Sequence, residues 1–536
     1  MSIPSNPSAD LPAAATVTTL KESVLNDFQK VYSNQYGLFA SASPLYGAGI
    51  FGRDSLEAAE DVLGEHPEIA ETVIGMLARL QGKVHHILSE EEPGRIHHEY
   101  RARAMPGREV HEQSLRILEE LAAVWGGTPE ELCYYGSVDA TPLYVTLVTD
   151  YCERHPERRT FLDRSIEHRN GSQTTIQESV LSALAWTDQR IQSSGRNLLE
   201  FKRAHAHGHI NQVWMDSVTS YIHADGSFPN YRQPIAAVEV QGFAYDALLK
   251  GAHLFRDTLP QQAGSWLARA EQVRQSTLSS FWMPEDRYFA MGLDVDEHGR
   301  SRQIATRSSN AALLLNTSLF DGLPENEHKN YVENTVRRIY SAEFLTEVGL
   351  RCRSLDFVNL VDFADYHGSL VSWAKQTYDV SKGLRRQGFP RLAEQLDIRI
   401  LNGIALAGSP LEFIYIDANG HAHYDEVTQP STPEDLAADR QVIAGTNIPE
   451  RMQTWTLSAL LAIHYRLERE QTGPPVHPQT WQWRVEEELL ARQPLAEHIN
   501  ADQLHTTSRA NQAFTVSLEA GKECERRYRE ILSAIA

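Results

Sequence analysis

This sequence predicts an all-α fold, a closed ring of paired helices, and three observations lead there. Apolar residues recur three or four apart through about a dozen segments between residues 40 and 470. No fixed-period repeat accompanies them, which argues against an open α-solenoid. The polar motifs fall in loops just ahead of helices, as they would where loops line one funnel.

The helical expectation covers Leu56 to Leu63, Ile69 to Leu88, Gln113 to Trp125, Pro142 to Cys152 and Gln177 to Gln192. It continues through Gly242 to Phe255, Ala263 to Phe281, Asn310 to Leu319 and Tyr331 to Ile339. Leu370 to Arg386, Leu392 to Ala407 and Met452 to Glu468 complete it. Gly, Pro, Asp and Asn mark the breaks, as at Gly64-Glu-His-Pro67, Gly126-Gly-Thr-Pro129 and Gly388-Phe-Pro390. Strand alternation is scarce, and β-hairpins are expected only as minor insertions. Leu411 to Tyr424 is the best case, with Asp417-Ala-Asn-Gly420 as its turn.

Residues 1–18 are rich in Ser, Pro, Ala and Thr and read as a disordered arm. They lack the basic stretch and apolar core of a secretory signal. The catalytic ring is expected over 19–475, and 476–536 as a helical C-terminal extension. A balance of 41% hydrophobic to 23% charged residues suits a soluble globular chain. The net charge of −21 disfavours nucleic acid and anionic membrane surfaces as partners. Cys133, Cys152, Cys352 and Cys524 have no CxxC spacing, so free thiols in the cytoplasm are expected. The oligomeric state is left open.

Asn211-Gln-Val-Trp214-Met-Asp216-Ser217 is the segment richest in chemistry. An indole covers the apolar face of a sugar ring, and a carboxyl group beside it reaches an edge oxygen. Such a carboxyl can stay protonated near neutrality, as a general acid must. Five other loops have similar character. Phe51-Gly-Arg53-Asp54-Ser55 opens a helix, where Asp54 or Ser55 would serve equally as an N-cap. Gly94-Arg-Ile-His97-His98-Glu99-Tyr-Arg101 reads as a sugar site or a surface charge cluster. Tyr134-Tyr135-Gly-Ser-Val-Asp139 precedes Pro142, so Asp139 is either a cap or a ligand to sugar hydroxyls. Asp365-Tyr-His367-Gly-Ser369 leads to Trp373, and Ser409-Pro-Leu-Glu412-Phe413 places a carboxylate in an apolar stretch.

Apart from the Asp365–Trp373 loop, these segments, with Val238-Glu239-Val-Gln241-Gly242 and Asn447-Ile-Pro-Glu-Arg-Met-Gln453-Thr-Trp455, resemble the glycogen-debranching amylo-α-1,6-glucosidases and their bacterial relatives. The resemblance spans about residues 40 to 470 and implies an (α/α)6 barrel hydrolysing an α-glucoside with inversion. Asp216 then corresponds to the general acid and Glu412 to the general base. In that mechanism about 6.5–9.5 Å separates the two carboxyls, leaving room for a water. Arg53, Asp54, His98, Glu99, Arg101 and Asp139 would bind the sugar, with Trp214 and Tyr135 as apolar walls. Glu239, Gln241, His367 and Trp373 would complete the substrate site.

Two departures narrow this reading. Met215 stands where the family commonly has lysine, and the terminal loop lacks the usual Pro-Gln-Ala-Trp. A small α-glucoside or short branch is therefore the expected substrate. The alternatives are a helical-barrel hydrolase or phosphorylase of a small glycoside, such as glucosylglycerate or a disaccharide, and a non-catalytic glycan-binding protein. No cofactor is expected. His205-Ala-His207-Gly-His209 lacks an acidic or cysteine partner at regular spacing, so no metal site is assigned.

Overall fold

In this computed structural model, residues 14–361, 365–423, 449–470 and 480–493 are described. The first helices are α1 (Ala14–Val31), α2 (Gly52–Asp61), α3 (Pro67–Leu80) and α4 (Glu112–Trp125). Next come α5 (Ala140–Arg154), α6 (Ile176–Ser193), α7 (Val238–Phe255) and α8 (Pro260–Phe281). A single turn, α9 (Asn310–Leu313), precedes α10 (Glu325–Ile339), α11 (Ala374–Arg386) and α12 (Pro390–Ala407). The last two described are α13 (Thr454–Glu470) and α14 (Trp481–Arg492).

Helix packing forms a closed circuit. α2 packs on α5, α5 on α7, α7 on α9, α9 on α11, α11 on α13, and α13 back on α2. Each circuit helix has an outer companion: α3 on α2, α6 on α5, α8 on α7, α10 on α9, α12 on α11 and α1 on α13. The sequence shows the difference between the two layers. Outer α10 buries only Val332, Thr335, Val336 and Ile339, a single stripe. Inner α7 is buried on every face, from Val238 and Gly242 through Leu248 to Phe255. Each fully buried Val, Leu, Ile or Phe stabilises the fold by about 1.5–3 kcal/mol.

Short antiparallel sheets aim the inner helices. β1 (Gly49–Phe51), β2 (Glu99–Ala102) and β3 (Glu131–Tyr134) form one, with β2 central. β4 (Ala236–Ala237), β5 (Gly292–Val295) and β6 (Ser301–Ile304) form the next, with β5 central. β7 (Val371–Trp373), β8 (Phe413–Ile416) and β9 (Ala422–His423) form a third around β8. β1, β4 and β7 run directly into α2, α7 and α11. The expected hairpin is the β8–β9 pair, with Gly420 at φ +86° in its turn. Most other strands are two to four residues long, too short for alternation to be legible.

Several boundaries differ from the periodicity. α3 ends at Leu80 rather than Leu88, because Gln81 turns to extended backbone and donates to the carbonyls of Gly94 (2.9 Å) and Ser179 (3.0 Å). Val84, Ile87 and Leu88, which mimic a helical stripe, are exposed on a loop. The Asn310–Leu319 helix breaks into α9 and two 3₁₀ turns, the second held by the Ser318 N–H donating to Asp246 (2.8 Å). α1 starts at Ala14, inside the segment expected to be a loose arm. Residues 1–13 and most of the expected C-terminal extension lie outside the described residues. Among the described residues no helix is long and apolar enough to cross a membrane.

Candidate active site

The amino ends of all six circuit helices meet at one place. α2 begins Gly52-Arg53-Asp54, and its N-cap is Phe51, which makes no side-chain cap. Asp54 and Ser55 therefore do not cap; the Ser55 hydroxyl donates to the Leu38 carbonyl at 3.0 Å. A Cβ on Gly52 would stand 2.1 Å from the His97 carbonyl oxygen, so this approach requires glycine. Arg53 Nη1 donates to Asp139 Oδ2 at 2.9 Å, and its Nε lies 3.9 Å from Asp54 Oδ1. Asp139 occupies the N-cap position of α5 but makes no cap bond; Arg53 and the Ser137 hydroxyl take its carboxylate.

The other four ends complete the ring. Glu239 is in the first turn of α7, and Trp373 is the N-cap of α11. Asn310, the first residue of α9, accepts from Trp214 Nε1 at 3.0 Å. Gln453, just ahead of α13, donates to Asp54 Oδ2 at 3.4 Å. Helix amino ends favour nearby carboxylates by about 0.3–1 kcal/mol each, whereas burial opposes their charge.

Asp216 projects from the loop that carries Trp214. That loop is held where Val138 N–H donates to the Gln212 carbonyl (2.9 Å) and where Gln212 Nε2 donates to Glu90 (2.6 Å). Trp214 and Met215 are buried, but Asp216 keeps an open face. Burial pushes its carboxyl up to about 7; Arg53 pulls back, and Asp54 and Asp139 push further. Glu412, just ahead of β8, is also partly open. Tyr366 donates to its Oε1 at 2.7 Å and the Glu450 N–H to its Oε2 at 3.3 Å. Burial nevertheless pushes Glu412 up to about 8, with the Glu450 and Asp54 charges adding. Both carboxyls feel the charge of Asp54, itself raised by burial to about 6.

Aromatic rings wall this cluster. Trp214 meets Trp373 edge-on at 5.8 Å and His367 at 5.3 Å, and His367 stacks on Trp373 at 5.1 Å. The His367 Nδ1 side faces the hydroxyls of Ser217 (3.1 Å) and Ser220 (3.2 Å). Buried Arg353 ties this turn to the Asp216 loop by donating to Asp365 (3.0 Å) and the Thr219 carbonyl (2.6 Å).

Residues 127–376 match the amylo-alpha-1,6-glucosidase family. The chain is a glycoside hydrolase resembling that family. A GH63 mannosylglycerate hydrolase from Thermus thermophilus in complex with Tris has a similar fold, with a TM-score of 0.52 at 15% identity, covering 83% of this chain and 100% of that one. The GH63 mannosylglycerate hydrolase of that organism in complex with glucose scores 0.51, and an uncharacterized conserved protein from it 0.53, at the same identity and coverage. No curated protein matches the chain.

The matched segment of this glycosidase contains Asp139, Trp214, Asp216, Glu239, Gln241, His367 and Trp373. Arg53, Asp54, His98, Glu99 and Glu412 lie outside it. Four expected substrate contacts are corrected. Tyr135 faces away from the site, its hydroxyl donating to the Leu80 carbonyl at 2.7 Å, because strand alternation turns Tyr134 inward instead. Arg101 donates to Glu99, the Leu45 carbonyl and Ser114, so it braces Glu99. Gln241 has its amide engaged by the backbone of Leu199 and Ala237. Glu239 is fully buried, with Oε1 accepting from Tyr221 at 3.4 Å.

Tyr366, Glu450 and Asn310 also reach this cluster and are not among the expected site residues. Glu450 and Tyr366 sit inside segments already singled out, yet only the fold reveals their approach to Glu412. Among the described residues no group of three or more His, Cys, Asp or Glu is placed to hold a metal ion. Cys133, Cys152 and Cys352 are free buried thiols; Cys524 lies outside the described residues. A small cavity lined by Trp214, Trp373, Trp455, Glu57 and Gln376 is not lined by Asp216 or Glu412.

Proposed function

We propose that this glycosidase is an inverting α-glucosidase built on an (α/α)6 barrel, with Asp216 as general acid and Glu412 as general base. The closed circuit of six helices, each with an outer companion, supports the barrel. The observation that carries the mechanism is a pair of partly open carboxyls flanking Asp54 in one aromatic-walled site. Asp216, raised to about 7, can hold a proton for the glycosidic oxygen near neutrality. Glu412 in its ionised form accepts a proton from a water, and Tyr366 and the Glu450 N–H orient it. The water oxygen bonds to the anomeric carbon as the bond to the leaving oxygen breaks, and that oxygen takes the Asp216 proton.

Arg53, Asp54 and Asp139 are the groups placed to bind sugar hydroxyls, with Trp214 against the ring. Arg53 and Arg101 are already neutralised by Asp139 and Glu99, which favours water over phosphate as the nucleophile. The test is a screen of α-linked glucosides with and without phosphate. Asp216→Asn and Glu412→Gln should each slow hydrolysis by about 10²–10⁴-fold in a folded protein. NMR of fresh product should show the inverted β-anomer. Retained configuration, or rates untouched by both substitutions, would overturn the assignment.

A further inference from the structure

We propose that His209, together with His98, forms the leaving-group subsite of this glycosidase and selects a neutral, hydroxyl-bearing aglycone. This rests on the function proposed above. His209 precedes Asp216 on the same loop. Its ring lies 4.8 Å from that of His98, 5.1 Å from Trp125 and 5.5 Å from Tyr134. The His209 backbone N–H donates to the Tyr134 hydroxyl at 2.8 Å, and Tyr134 stacks on Trp125 at 3.9 Å. Trp125 Nε1 in turn donates to the His207 carbonyl at 2.8 Å. The wall is therefore fixed while its two imidazoles remain uncommitted. Neither the His98 nor the His209 ring has a hydrogen-bond partner among the described residues. The ring nitrogens of neighbouring His97 are sealed from solvent without a partner, but those of His98 and His209 are not sealed. His98 keeps 6% of its surface exposed, and His209 is half-buried.

The direction of the wall identifies what it touches. Arg53, Asp54 and Asp139 are buried at its inner end, His209 is half-buried, and Ala206 and His207 are exposed at its outer end. A sugar held against Arg53 and Asp54 would leave its aglycone pointing outward past Asp216, along His98 and His209. The chemistry of the wall then limits that aglycone. Burial, with the Arg53 charge nearby, holds His209 down to about 4 and His98 well below its ordinary value, so both rings are neutral. A neutral imidazole offers one donor and one acceptor, the complement of a hydroxyl group. A carboxylate or phosphate would need a cation here, and Arg53 is already paired with Asp139. A polyol or second sugar fits.

The experiment compares kcat/KM for α-glucosyl fluoride, whose leaving group has no hydroxyl, with α-glucosylglycerol and α-glucosylglycerate. His209→Ala should lose about 10-fold more on glucosylglycerol than on the fluoride, mainly through KM. His209→Asn, which keeps a donor and an acceptor, should recover part of that loss. Equal losses on both substrates, or a wild-type preference for glucosylglycerate over glucosylglycerol, would overturn the subsite. Wild-type failure on the fluoride would sink the proposed function instead. Calorimetry then still decides the subsite: glucosylglycerol should bind Asp216→Asn about 10-fold more tightly than Asp216→Asn/His209→Ala, and equal binding refutes it.

Discussion

Tyr366 donates its hydroxyl to Oε1 of Glu412 at 2.7 Å, across 46 residues of sequence. This bond favours ionised Glu412, but burial outweighs it and leaves the carboxyl near 8, above Asp216 near 7. With the proposed base titrating above the proposed acid, only a minority of molecules hold ionised Glu412 and neutral Asp216 together.

A specific pH profile is expected from that order. kcat/KM should rise until pH passes the Asp216 pKa near 7, stay level, and fall once pH passes the Glu412 pKa near 8. Tyr366→Phe removes a donor to the charged form, so the Glu412 pKa rises by about one unit. The acidic limb should stay in place, the basic limb should move up, and the plateau should drop about 10-fold. A shift of the acidic limb alone would instead place Glu412 below Asp216.

The loops around the site were legible because each inner helix starts at a polar break carrying an acid, a glycine or an aromatic. Gly52-Arg53-Asp54, Asp139 and Trp214-Met-Asp216 come together although 164 residues separate Gly52 from Asp216. Which of two adjacent residues faces inward was not legible. Tyr134 and Tyr135, like His97 and His98, point to opposite sides of a short strand or its flank, and one step of register decides between them. Exposed Val84, Ile87 and Leu88 extended a helical pattern that has no buried face to support it. The approach of Glu450 to Glu412 depends on tertiary packing, for which local pattern has no signal.

Gln241 shows how a polar residue at the front of an inner helix can be structural. Its Nε2 donates to the carbonyls of Leu199 (2.9 Å) and Ala237 (2.8 Å), and its Oε1 accepts from the Leu199 N–H at 2.9 Å. Gln241→Leu would strand these buried backbone groups, at about 1–3 kcal/mol for each one left unsatisfied. Urea unfolding should show a loss of about 3 kcal/mol. KM of the folded variant should stay at the wild-type value. A raised KM with unchanged stability would mean that Gln241 touches the substrate after all.

Glu239 couples the site to stability. It is fully buried in the first turn of α7, and its Oε2 has no partner among the described residues. Burial raises it to about 8, against the bond from its own backbone N–H, and the Asp139 charge adds. An unfolded glutamic acid titrates near ~4.3, so between that pH and about 8 the folded chain keeps a proton that the unfolded chain has lost. Its contribution is fully present below the unfolded value and declines as pH rises through the folded one. The slope is at most about 1.4 kcal/mol per pH unit. Glu239→Gln abolishes this term, so its stability relative to wild type should grow steadily from pH 6 to 8 and then level off. Urea midpoints at several pH values measure the difference directly. A gap between the two proteins that stays constant across the range would show that Glu239 is already ionised in the fold.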